Sequence, residues 1–313
     1  MRRLSKQAFE EIRLWIYRNA RQIELALWQY HFENGSKEAV LSALSLYQND
    51  DGGFGNTFEP DSWNPNSSPY TTLTAISKLN DINFTDKNHP IMQGIFRFIE
   101  SGIHSDENGW LFSIPTNDDY PHAPWWTYDS EANKYESIGV SAGIACFIMK
   151  FADKDSQIYR RAITIVNKLI DKLNTSGKYG DMGIGGYCIL KDTLRQLNMA
   201  DKFNMEFLSN TVKQLVNASI ERDASKWAYY GKTPSDFITS PDSEFYKDNE
   251  EIILRELDYI IDVRPNNGVW GITWSWFDNN ELYPKEFAIS ENWWRADIAL
   301  RKTKLLKSFN RLE

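Results

Sequence analysis

The sequence predicts an all-α protein built as an array of helical hairpins, and three observations predict it. Apolar residues recur three and four apart in segment after segment, and no alternating β pattern persists. Amphipathic segments also alternate with segments rich in small apolar residues, and glycine–aromatic elements stand between them.

The N-terminal stretch carries Phe9, Ile12, Ile16, Ala20, Ile23, Leu27 and Tyr30 on one stripe, which predicts a single helix within residues 1–35. Gly35 stops it and Ser36 caps the next. Amphipathic helices are expected at roughly 37–48, 89–101, 156–173, 203–220 and 246–262. The intervening helices differ. "SPYTTLTAISKL" (68–79) opens with Ser68 as N-cap and Pro69 in the first turn. "SIGVSAGIACFIM" (137–149) is small and apolar all round, as a helix enclosed on every side should be. "GGYCILKDTLRQL" (185–197) and "SENWWRADIALRKTKLL" (290–306) complete the set.

The alternation reads as one repeat array over residues 36–306, within a single domain 1–313. Its glycine–aromatic elements are "GGFG" (52–55), "NGW" (108–110), "YGDMGIGGY" (179–187) and "GVWG" (268–271). A lone hairpin cannot bury its apolar face, and closing the array into a ring buries them all. Links from an amphipathic helix to the following apolar one are long, about 20, 35, 12 and 27 residues. The opposite links are short, so the long loops should gather on one rim, where any cavity would open. Two amphipathic helices follow one another at 203–220 and 246–262, so residues 221–245 must supply a short or broken element between them.

Net charge −8 and a pI near 5.2 speak against a nucleic-acid partner or an anionic membrane surface. No apolar run reaches the length of a membrane span, and the N-terminus lacks the apolar core of a secretory signal, so a cytoplasmic location is expected. Cys146 and Cys188 sit in apolar runs and read as buried thiols. No cofactor is expected. Aromatics make up 14% of the chain, with 12 Trp, many of them between helices, which favours a stacking surface or a pocket wall.

"QNDDGGF", with Gln48, Asp51, Gly52, Gly53 and Phe54, resembles the QW motif of terpenoid cyclases, and related elements occur in protein prenyltransferase β-subunits. The other copies lack the glutamine: His104 stands six residues before Trp110, and Arg264 six before Trp270. The resemblance implies an α/α toroid of about five to six helical hairpins in inner and outer rings. In that superfamily the element staples an outer helix to the next inner one, so these five residues carry a structural duty.

The family's catalytic residues do not carry over. No Asp-x-Asp-Asp tetrad exists, since "QNDD" (48–51) and "TNDD" (116–119) lack its first Asp. No Asp-x-Cys element accompanies the four histidines His31, His89, His104 and His122, so no zinc site is expected, nor is a DDxxD magnesium motif present. What remains is the wall of the long loops. Glu59 and Asp61 precede a capped helix in a loop stiffened by Pro60 and Pro65, and they are the leading catalytic candidates. Asp118, Asp119 and Asp129 follow them. Trp63, Tyr70, His122, Trp125, Trp126, Tyr128, Trp274, Trp276, Trp293 and Trp294 are the candidate substrate-binding residues.

Acids among aromatic rings fit two small-molecule chemistries. With an isoprenoid, the rings shape the chain and stabilise carbocations while a desolvated acid donates a proton. With a saccharide, rings stack on sugar faces while two carboxylates act as acid and base or nucleophile. A ligand-binding scaffold without catalysis is the third reading.

Overall fold

The computed structural model describes residues 2–313. Twelve α-helices dominate these residues: α1 (Lys6–Asn19), α2 (Gln22–Phe32), α3 (Lys37–Ser45), α4 (Pro69–Asp81), α5 (Pro90–Ser101), α6 (Ser130–Phe151), α7 (Gln157–Thr175), α8 (Gly180–Gln196), α9 (Met205–Ser219), α10 (Glu250–Asp262), α11 (Asn279–Leu282) and α12 (Pro284–Ser308). The single hairpin, β1 (Ser105–Asp106) with β2 (Gly109–Trp110), does not alter the all-α class. Among the described residues no helix is long and apolar enough to cross a membrane.

The described residues gather into two compact units, one of residues 44–215 and the other of residues 2–43 with 216–313. In the first unit α6 is the central helix. It packs on α8, α7, β2 and α4 and buries every residue from Ile138 to Met149. Its contact with α8 is backbone on backbone: a Cβ at Gly186 would stand 2.7 Å from the Gly139 Cα, and one at Gly139 would stand 2.5 Å from the Met182 Cβ. Only glycine permits that approach.

The Gln48–Phe54 element ties this unit's helices together. Gln48 donates from Nε2 to the carbonyls of Gly52 and of Ile91, the latter in the first turn of α5. Gly52, at φ +91°, rests on Gly94 of α5, where a Cβ would fall 2.1 Å from the Gly94 oxygen. Phe54 is fully buried, and its N–H donates to the Thr72 hydroxyl on α4. Asp51 accepts from the Gly53 N–H and the Ser67 hydroxyl. Ser68 caps α4 by accepting from the Thr71 N–H, with Pro69 in the first turn. The rings of the other glycine–aromatic elements, Trp110, Tyr187 and Trp270, are likewise buried.

The second unit packs α1, α2 and α12 together. Phe9, Trp28 and Phe32 meet at ring-centroid distances of 4.5–5.6 Å, and the Trp28 indole donates to Glu33. Arg21 and Glu24, nearly inaccessible to water, pair at 2.6 Å. Leu4 lies beside Leu312 in a parallel bridge: Leu4 N–H donates to the Arg311 carbonyl, and Glu313 N–H to the Leu4 carbonyl. Arg311 supports this seam with bonds to Asp258 and to the Arg2 carbonyl.

Several boundaries differ from the sequence expectation. The N-terminal helix is two helices, broken at Ala20 and Arg21, which are both extended. The break survives because Asn292 donates to the Asn19 carbonyl and Asn19 to the Trp15 carbonyl. Helix α6 starts seven residues before the expected Ser137, because Asp129 caps it by accepting from Glu131 and Ala132 N–H. Helix α8 starts at Gly180 rather than Gly185, since Glu136 of α6 accepts from the Asp181 N–H and Gly183 and Gly186 fit against α6. The third long link therefore shrinks to residues 176–179. Residues 221–245 hold only 3-10 turns, at Ala224–Lys226 and Pro234–Asp236, which agrees with the broken element expected there.

Candidate functional site

In the 44–215 unit the loop of residues 46–68 lies against the loop of residues 102–129. The two run antiparallel at Ser62 and His122. Trp63 N–H donates to the Pro121 carbonyl and Ala123 N–H to the Asp61 carbonyl, each at 2.9 Å. Asn64 adds side-chain bonds of 2.9 Å from Nδ2 to the Thr116 hydroxyl and to Asn117 Oδ1. Asn117 in turn donates to the Trp126 carbonyl. These bonds bring Glu59, Asp61, Trp63, His122 and Trp126 to one junction.

Glu59 and Asp61 are 4% and 2% exposed, so both carboxylates have been withdrawn from water. Glu59 Oε1 lies 3.4 Å from the Asp61 N–H. His122 is buried too. Its Nδ1 is 2.6 Å from the Tyr120 carbonyl, which only accepts, so Nδ1 carries a proton. Its Nε2 is 3.1 Å from the Thr127 hydroxyl and 4.0 Å from Asp118. Asp118 is 46% exposed and accepts from the Tyr128 N–H, Asp119 is exposed, and Asp129 is the cap of α6.

Three rings meet beside this junction. Trp126 stacks on Phe112 at 4.6 Å and 18°, and Tyr70 stands edge-on to both, 4.4 Å from Trp126 and 5.5 Å from Phe112. Phe112 is placed by α6, because Asn133 Oδ1 accepts from the Phe112 and Ser113 N–H groups and Asn133 Nδ2 donates to the Ser113 carbonyl. Trp126 is 4% exposed, and its indole N–H is enclosed with no acceptor. Trp125 lies at the surface, while Trp63 and Tyr128 are half-buried.

The remaining candidates belong to the other unit. Trp276 is fully buried against Phe287. Trp274 stands edge-on to Trp294 at 5.2 Å, and Arg21 lies over the Trp293 ring at 5.1 Å.

Sequence reasoning missed Asn64, Asn117, Asn133 and Phe112, which set the junction's geometry. Asparagines flanked by prolines and acids ("WNPN", "TNDD") read as turn formers, and only their facing partners reveal a second task. Among the described residues no group of three or more His, Cys, Asp or Glu is arranged to hold a metal ion. No family model, no curated protein and no solved structure matches the chain.

Proposed function

We propose that the chain is a terpenoid cyclase- or prenyltransferase-like protein on an α/α toroid, binding an isoprenoid-type small molecule at the loop junction of residues 59–64 and 112–128. The observation that carries this reading is the loop junction itself: the segment holding the buried acids Glu59 and Asp61 is bonded at the Asp61 carbonyl to Ala123, and Ala123 accepts from Trp126, which meets Phe112 and Tyr70. Ring faces attract developing positive charge, and a carboxylic acid is the group that would hand an alkene or epoxide its proton. The enclosed Trp126 N–H supports the reading as well, because an oxygen of a bound ligand would supply its missing acceptor. Asp61, linked through Ala123 to the Trp126 backbone, is the leading proton donor, and Glu59 the second.

A glycoside-acting alternative draws on Asp118, whose water-exposed carboxylate near His122 suits a polar substrate. Thermal-shift titration of the full chain with geranylgeranyl diphosphate and with neutral oligosaccharides separates the two readings, a saccharide response counting for the alternative only where Asp118→Asn abolishes it. Ligand at about a hundred times its Kd adds about 2.7 kcal/mol to stability. Isoprenoid-induced stabilisation that disappears in Trp126→Ala supports the proposal, and no response to any isoprenoid rejects it. If Asp61→Asn leaves a detected turnover unchanged, Asp61 is not its proton donor.

A further inference from the structure

The unit of residues 2–43 and 216–313 carries a feature that the junction does not use. Residues 218–233 surround an open concavity of about 530 Å³, within the size range of small-ligand sites. The loop that forms it is closed and braced. Glu221 N–H donates to the Lys232 carbonyl, and the Trp227 indole donates to the Glu221 carbonyl, both at 2.8 Å. Trp227 is 5% exposed and packs edge-on to Tyr259 at 5.4 Å, anchoring the loop. From this base Tyr229 and Tyr230 project into water, 71% and 63% exposed. Tyr230 stands edge-on to Trp274 at 6.3 Å, and Trp274 continues to Trp294, whose indole N–H is enclosed without an acceptor. Lys226 and Glu221, 3.4 Å apart, supply a donor and an acceptor on the wall.

We propose that this groove is a binding site for a neutral oligosaccharide, stacked on Tyr229 and Tyr230. The wall chemistry selects that class. A wholly apolar ligand would dehydrate Lys226 and Glu221 with no bonds in return. The wall carries Lys226 and Lys232 beside Glu221, but Lys226 is paired with Glu221 and the chain as a whole has net charge −8, which disfavours a polyanion. A neutral sugar lays its C–H faces on the rings, while its hydroxyls accept from the lysine and donate to the carboxylate. A rigid display of two tyrosines costs little ordering entropy when such a ligand binds. The site is independent of the loop junction, so either proposal stands if the other fails.

The test is binding of the full chain to immobilised neutral hexaoses (gluco-, xylo-, manno- and N-acetylglucosamine series), followed by calorimetry on any that are retained. The site predicts at least one with a Kd at or below about 1 mM. Tyr229→Ala/Tyr230→Ala should weaken it at least about tenfold with an unchanged unfolding midpoint. Tyr229→Phe/Tyr230→Phe should retain most of the affinity. Raising sodium chloride from about 50 to about 500 mM should leave the affinity unchanged. Retention of no neutral glycan, or equal binding by the double alanine variant, overturns the proposal. Affinity that collapses with salt overturns it too, since a neutral sugar stacked on rings is not held by charge attraction.

Discussion

Asn64 and Asn117 join the two loops of the 44–215 unit directly, Nδ2 to Oδ1 at 2.9 Å, with both side chains buried. Asn117 is the pivot, because its own amide also satisfies the Trp126 carbonyl. Asn117→Ala is expected to cost about 2 kcal/mol, since it strands that carbonyl without a donor. Urea unfolding measures the loss. A double-mutant cycle with Asn64→Ala should give a coupling of about 0.5 kcal/mol or more. Strict additivity would mean the two residues do not act together.

The α6–α8 contact makes a paired prediction from two neighbouring glycines. Gly186→Ala forces a methyl into the Gly139 backbone and should destabilise by about 1–3 kcal/mol or more. Gly185, one residue earlier in the same helix, has open space where its Cβ would lie. Gly185→Ala should be neutral or stabilise by up to about 1 kcal/mol, through helix propensity. Chemical denaturation of both variants checks the contrast, and similar losses at the two positions would contradict the packing described.

Two groups in the other unit, buried Glu256 and half-buried Lys302, set opposite pH slopes. Glu256, 3% exposed, accepts from the Ser235 N–H and hydroxyl, yet burial pushes its carboxyl above the ordinary 4.5. Its folded form holds a proton that the unfolded chain has released, so its contribution to stability falls as pH rises from 4.5 through the raised value. Burial drives the Lys302 amine the other way, from 10.5 to about 8, as it lies over the Trp270 ring. Between about 8 and 10.5 the unfolded chain binds the extra proton, so this contribution rises with pH. Unfolding free energy measured across pH should lose the first slope in Glu256→Gln and the second in Lys302→Met.

Thiol labelling should separate the two cysteines. Burial pushes both thiols up to about 11, but Cys146 is 2% exposed whereas Cys188 is half-buried. At pH 8 the scarce thiolate makes each react on the order of a hundredfold more slowly with iodoacetamide than a free cysteine. Cys188 should be modified first, and Cys146 only on unfolding, as read by mass spectrometry of timed samples. Faster labelling of Cys146 would contradict its enclosure in α6.

Helix existence was legible because apolar period reports burial, and burial decides most of these segments. The break at Ala20–Arg21 was hidden since Ile16, Ala20 and Ile23 stay in phase across it. The early start of α8 was hidden for the opposite reason. Glycine's weak helix propensity points to a loop, and only the facing Glu136 and Ile138 of α6 explain why glycine stands at 180 and 183. At the junction, loop sense placed Asp61, His122 and Trp126 together, but nothing in a one-dimensional pattern pairs Asn64 with Asn117. Asp129 was open to a better reading, as an Asp directly before "SEANKYES" carries the signature of a helix cap.

The parallel seam of Leu4 and Leu312 has a mechanical consequence. Parallel segments drawn apart by their opposite ends are loaded in shear, so the Leu4, Arg311 and Glu313 bonds share the force instead of opening one by one. A molecule stretched in an optical trap would therefore resist at this seam before its helices begin to unravel.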